Sequence, residues 1–174
     1  LFSAGPTSPI LRVAAAGGVP APVTKLVEGD VDAGHRFPVF LPDGVHFLFN
    51  ATSNKPESVG LYVGSLDGMA PTRILPERTN ALYVPPGVTG GDGHLVFRRE
   101  NTLMAQPFDP TALAFRGEVI RIAAEVPITG TGSFGAFSAA GIGTLVYRTG
   151  GAAANRELEW VDRTGKRLRT ATRP

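Results

Sequence analysis

The chain of 174 residues contains no cysteine, which excludes a disulfide framework, thiol catalysis and Cys-ligated zinc, and leaves the redox compartment unreadable. Helical patterning is almost missing as well. No window of about 11 residues keeps apolar positions at i, i+3, i+4 and i+7 without an interrupting Gly or Pro. A long apolar run is also lacking. The charge-free stretch Val126 to Tyr147 carries five glycines, one proline and six Ser, Thr or Tyr hydroxyls, whereas a spanning helix needs about 20 predominantly apolar residues. Strong net charge is absent too: 17 Lys and Arg face 15 Asp and Glu, so no nucleic-acid partner is expected from charge. Disorder is excluded in turn by a hydrophobic content of 43%.

What is abundant is turn chemistry. The 22 glycines and 15 prolines make up about a fifth of the chain, against a background of roughly an eighth. They punctuate short alternating or β-branched runs, the pattern of strands. His46-Phe47-Leu48-Phe49-Asn50, Leu61-Tyr62-Val63-Gly64-Ser65, Leu95-Val96-Phe97-Arg98, Leu103-Met104-Ala105-Gln106 and Leu145-Val146-Tyr147-Arg148 are such runs. Between them stand Pro42-Asp43-Gly44, Asp67-Gly68, Gly91-Asp92-Gly93 and Thr164-Gly165, whose glycines supply the positive φ of tight turns. Leu1-Phe2-Ser3-Ala4 already reads as strand, with no charged leader before it. Trp160 to Lys166 reads as strand, turn and new strand, so the sequence is expected to be a piece of a longer chain.

The strands recur in a fixed order. From Arg36 to Leu75 the sequence predicts Phe37–Leu41, Val45–Ala51, Gly60–Leu66 and Thr72–Leu75, an up-and-down meander. A second unit runs through Ala81–Val84, Leu95–Arg98, Leu103–Phe108 and Val119–Ile122. A third begins at Phe134–Ser138 and continues through Leu145–Arg148 and Leu158–Asp162. Leu1–Ala4, Ile10–Val13 and Val23–Leu26 fit the end of an earlier unit. The second-strand centres Leu48, Val96 and Val146 lie 48 and 50 residues apart, and a period of roughly 40–50 residues with four strands marks a β-propeller. One such sheet cannot bury both faces alone, but stacked neighbours bury each other's. A β-sandwich is the alternative; it fits the strand count but not the recurrence. The expected fold is therefore all-β, about 3.5–4 four-stranded antiparallel blades, with units at 1–27, 36–75, 81–123 and 134–170.

Phe40-Leu41-Pro42-Asp43-Gly44 followed by Phe47-Leu48-Phe49 resembles the Pro-Asp-Gly signature of TolB-like and WD-repeat-like propellers. Leu61 to Gly68 resembles the strand pair that follows it. Asn80-Ala81-Leu82-Tyr83-Val84-Pro85-Pro86-Gly87, Leu95 to Arg98 and Thr102 to Asp109 are similar to the propeller behind the membrane anchor of many bacterial serine/threonine protein kinases. Glu157 to Gly165 is similar to it too. The turn is lost at Ala139-Ala140-Gly141, and Gly87 to Gly93 is longer than the pattern. The resemblance implies a sensory or interaction module, extracytoplasmic in a membrane-anchored bacterial protein. The alternatives are a ring gating a prolyl-oligopeptidase-like hydrolase and a free periplasmic scaffold of the TolB type.

Each chemistry-bearing pattern has a plainer reading. Gly130-Thr131-Gly132-Ser133-Phe134-Gly135 spells G-x-G-x-x-G, but a dinucleotide site needs a helix after it, and strand follows. His-Arg-Asp and Asp-Phe-Gly are missing, so no kinase site is present. No Gly-x-Ser-x-Gly elbow exists, and His35, His46 and His94 have no metal-ligand spacing. Asp43, Asp67 and Asp92 read as turn formers. The basic residues from Arg163 to Arg173 lack interleaved aromatics and read as a solvated strand face, and Trp160 reads as packing between units. No catalytic residue, metal or cofactor is expected. Instead, the loops Glu28 to Arg36, Pro76 to Asn80, Glu125 to Ser133 and Thr52 to Val59 are expected to form one contact face. His35, Arg36, Asn80 and Thr131 should look out from it onto a protein or small ligand, with the remaining blades of the parent ring as further partners.

Overall fold

The computed structural model describes residues 1–87, 91–129, 134–140 and 144–150, and the backbone of 158–161 and 167–171. The protein is all-β. Its helical content among these residues is one 3-10 turn, Pro56–Ser58, and no described helix is long and apolar enough to cross a membrane.

The strands form antiparallel sheets in chain order. The first sheet holds β1 (Phe2–Ser3), β2 (Ile10–Arg12) and β3 (Ala21–Pro22). Its last strand starts two residues before the expected Val23, because Pro22 and Ala21 pair with Leu11 and Arg12. Thr24 then leaves the ladder, and its hydroxyl accepts the Ile10 amide at 2.8 Å. The second sheet is the meander β4 (Gly34–Phe40), β5 (His46–Thr52), β6 (Gly60–Ser65) and β7 (Thr72–Leu75). Asp43 shapes the turn between β4 and β5 by accepting the Val45 and His46 amides, each at 2.9 Å, with Gly44 at a φ of 67°. The third sheet orders β8 (Ala81–Val84), β9 (His94–Arg99) and β10 (Thr102–Asp109). Its outer edge is broken in two. β11 (Ala114–Phe115) pairs with the end of β10 and β12 (Ile120–Ala123) with its start.

Beyond it the strands come as pairs. β13 (Ile128–Thr129) pairs with β14 (Phe134–Gly135), and β15 (Phe137–Ala139) with β16 (Leu145–Tyr147). The run expected as one strand over Phe134–Ser138 is interrupted at Ala136, whose amide donates to Pro127 O at 2.9 Å. The first half thus pairs backward in the chain and the second half forward. β17 (Leu158–Val161) pairs with β18 (Arg167–Ala171).

Each central sheet is buried on both faces. Phe47, Phe49 and Ala51 of β5 cluster with Ile10 of the first sheet. Leu48, with Leu61 and Val63, packs instead with Leu95, Phe97 and Phe108 of the third sheet. On the third sheet, Val96, Leu103 and Ala105 face forward onto Val126 and Phe137. Strand alternation sends successive residues to opposite faces, so a strand between two sheets reads as a nearly continuous apolar run. Fully burying one such Phe or Leu stabilises the fold by about 1.5–3 kcal/mol.

Candidate functional site

At one end of the second sheet, polar groups tie its loops together. Asp30, buried between β3 and β4, accepts the Asp32 amide through Oδ1 at 2.9 Å. Its Oδ2 accepts the Asn54 amide at 3.1 Å and the Ser53 hydroxyl. The Ser53 bond holds its pKa below the ordinary carboxylate range, helped by those amides and by Lys55 and opposed by desolvation. The Thr52 hydroxyl is shared between the carbonyls of Asp32 and Gly34, at 3.3 and 3.2 Å. These bonds fix the 28–34 loop against the 52–59 loop.

Above them opens a polar cleft of about 340 Å³. Thr7 reaches it from between β1 and β2, Asp32 from the loop before β4, Arg36 from β4, Ser53 and Asn54 from after β5, and Arg78 from the loop before β8. Arg36 owes its placement to a β-bulge. Arg36 pairs with Asn50 and Val39 with Leu48, so one extra residue sits in β4, with Phe37 at a φ of 56°. Such a bulge bends the strand and redirects a side chain. The Arg36 guanidinium carbon lies 5.3 Å from the centre of the Phe37 ring, which in turn meets the Phe134 ring edge-on at 5.1 Å. Among the described residues, no carboxylate forms an ion pair with Arg36 or Arg78.

Two of the residues expected on this face lie elsewhere. His35 is 8% exposed and turned toward the first sheet. Its Nδ1 is hydrogen-bonded to the Thr24 hydroxyl at 2.8 Å, its amide donates to Ser8 O at 2.9 Å, and its ring lies 4.7 Å from that of Phe49. Burial pushes its pKa down to about 4, so the ring is neutral near pH 7. Its place in the strand, one residue before Arg36, puts it on the opposite face. Asn80, 3% exposed, accepts the Gly135 amide through Oδ1 at 2.6 Å and fastens the third sheet to the next strand pair. Both side chains are engaged by partners within the fold. Thr131 and most of the G-x-G-x-x-G stretch lie outside the described residues, as do the side chains of Trp160 and the basic tail.

Residue type alone does not mark Asp32, Asn54 and Arg78 as members of the cleft. Arg78 was in principle visible, two positions before Asn80 in a loop already expected on this face. Elsewhere, Asp43 Oδ2 lies 2.5 Å from His46 Nδ1, and Ser65 stands opposite His46 in the ladder. Although desolvation pushes Asp43 up, the His46 bond and two backbone amides keep its pKa below the usual range. His46 Nε2 is buried without a partner and Ser65 instead accepts the Asp67 amide at 3.3 Å, so no activated serine results. Among the described residues, no three His, Cys, Asp or Glu side chains gather as for a metal. Comparison with protein-family models, with curated proteins and with solved structures finds no match to this chain.

Proposed function

We propose that the chain is a non-catalytic recognition module, an arc of β-propeller blades whose loop end holds a protein or small ligand. The blade reading is supported by sheets that follow one another in chain order and each bury a face on the sheet before and after. It is supported too by first strands that pack on one another, β4 on β8 and β8 on β15. Strands repeated in this way create concave or ring-shaped surfaces whose loops collect at one end.

The observation that carries the functional reading is the cleft. The loop before β4 and the loop after β5 are locked together by Asp30, and Arg36 and Arg78, neither ion-paired among the described residues, line the space above. Binding groups on loops held by a rigid scaffold are the usual arrangement of a recognition site. By its resemblance to kinase-associated propellers, the module is assigned to the extracytoplasmic sensory part of a bacterial receptor-like kinase.

The test is a ligand screen read by thermal shift, run in parallel on the full chain and on the Arg36→Ala/Arg78→Ala double variant. Hits on the wild-type chain should vanish in the variant, and the variant should still melt in one cooperative transition without ligand. Hits retained by the double variant would remove the loop end as the binding surface.

A further inference from the structure

We infer that the loop cleft binds a singly charged carboxylate group. This rests on the loop-end reading above and narrows it to a ligand class. The charged residues lining it are Arg36, Arg78 and Asp32, a net charge of about one positive unit. Asp30, below the cleft, is already satisfied by Ser53, the Asn54 amide and the nearby Lys55. A carboxylate neutralises that excess. A phosphate group carries about −1.5 to −2 near neutral pH and would leave the cleft negative beside Asp32.

The donors suit a carboxylate as well. A guanidinium offers a planar fork that matches two carboxylate oxygens, and such charge-assisted bonds are roughly twice as strong as neutral ones. Arg36 is held in place by the Phe37 ring and the bulge beneath it, so less side-chain freedom is lost on binding. The Asn54 side-chain amide and the Thr7 hydroxyl, both at the cleft, make no hydrogen bond to the protein among the described residues and add neutral donors. Specificity for one charge comes from Asp32, which repels a second negative charge on the ligand.

The experiment is an amide-detected NMR titration of the full chain with sodium acetate, sodium phosphate and sodium chloride at matched ionic strength. Two tripeptides follow, Ala-Ala-Ala with a free or an amidated carboxyl end. Acetate should shift the Thr7, Asn54 and Arg78 amides saturably, and chloride should not. Arg36→Gln and Arg78→Gln should each weaken acetate about tenfold, the loss expected for one charge-assisted bond. Asp32→Asn should raise phosphate affinity more than acetate affinity. The free tripeptide should bind and the amidated one should not. Tighter binding of the free tripeptide than of acetate assigns the group to the end of a chain, and equal binding assigns it to a small acid. No saturable acetate response overturns the inference, as does an equal response to chloride or tighter binding of phosphate by the wild-type chain. Because Arg78 is exposed, Arg78→Gln keeps the test valid even if Arg36→Gln unfolds. Acetate binding without any hit in the thermal-shift screen would keep the carboxylate site and remove the wider recognition role; the converse would remove only the ligand class.

Discussion

Acidification should reveal the buried His35 before it affects any carboxylate. In the folded chain its pKa is pushed down to about 4 by burial, while in the unfolded chain it titrates near 6.5. Between these values the unfolded state binds a proton that the folded state refuses, so stability falls as pH falls. The sign follows directly: the contribution is complete above pH 6.5, shrinks through the window and is exhausted below about pH 4. From pH 7 to pH 5 the two-state expression gives a loss of about 2 kcal/mol for this one group. With a urea slope of about 2 kcal/mol per M, the unfolding midpoint drops by about 1 M. The carboxylates whose pKa is lowered, Asp30, Asp43, Asp67 and Asp109, lose their contribution only as pH falls below their ordinary range near 3.8. The assay compares urea midpoints at pH 7 and pH 5 for the wild-type chain and for His35→Gln, which keeps a polar group near Thr24 but does not titrate. The wild type should lose about 2 kcal/mol more than the variant between the two pH values. Equal losses in the two proteins would refute the burial argument.

Two further substitutions probe the joints between sheets. Asn80→Ala leaves the buried Gly135 amide without its acceptor and should cost about 1–3 kcal/mol. Amide exchange at Gly135 should speed up accordingly, and a loss below about 0.5 kcal/mol, the scatter of ordinary surface changes, would show that the contact is not structural. Gly34→Ala places a Cβ only 1.9 Å from the Pro6 carbonyl oxygen. The obstacle is backbone, so the first sheet must move away, and the cost should reach about 3 kcal/mol, the upper end for overpacking. Gly5→Ala, whose Cβ meets nothing within 4 Å, is the matched control and should melt close to wild type.

The strand order was legible in the residues because its signals are local. Pro42-Asp43-Gly44 specifies a turn through its own side chain and a positive φ, and the structure holds Asp43 to that role. Phe47-Leu48-Phe49 is apolar at every position, and the reason is now visible: Phe47 and Phe49 face one sheet while Leu48 faces another. Two local events hid the rest. Phe37 takes a positive φ although it is not glycine, and Pro38 beside it, with no amide hydrogen for the ladder, marks an edge or a bulge without saying which. The break at Ala136, which redirects pairing from Ile128–Thr129 to Leu145–Tyr147, rests on an amide bonded to the distant Pro127 carbonyl.

By itself, then, the amino-acid order determined secondary structure, turn positions and the residues able to fill a core, since propensity and two-residue periodicity act over a few neighbours. Strand alternation sends adjacent His35 and Arg36 to opposite faces, but tertiary packing alone decided what each face meets, the first sealed against Thr24 and Phe49 and the second opening on a cleft with Arg78. Arg36 comes from β4 and Arg78 from the loop before β8, and no local pattern records that approach. It follows from sheets stacking to hide apolar faces, and that is a property of the whole chain.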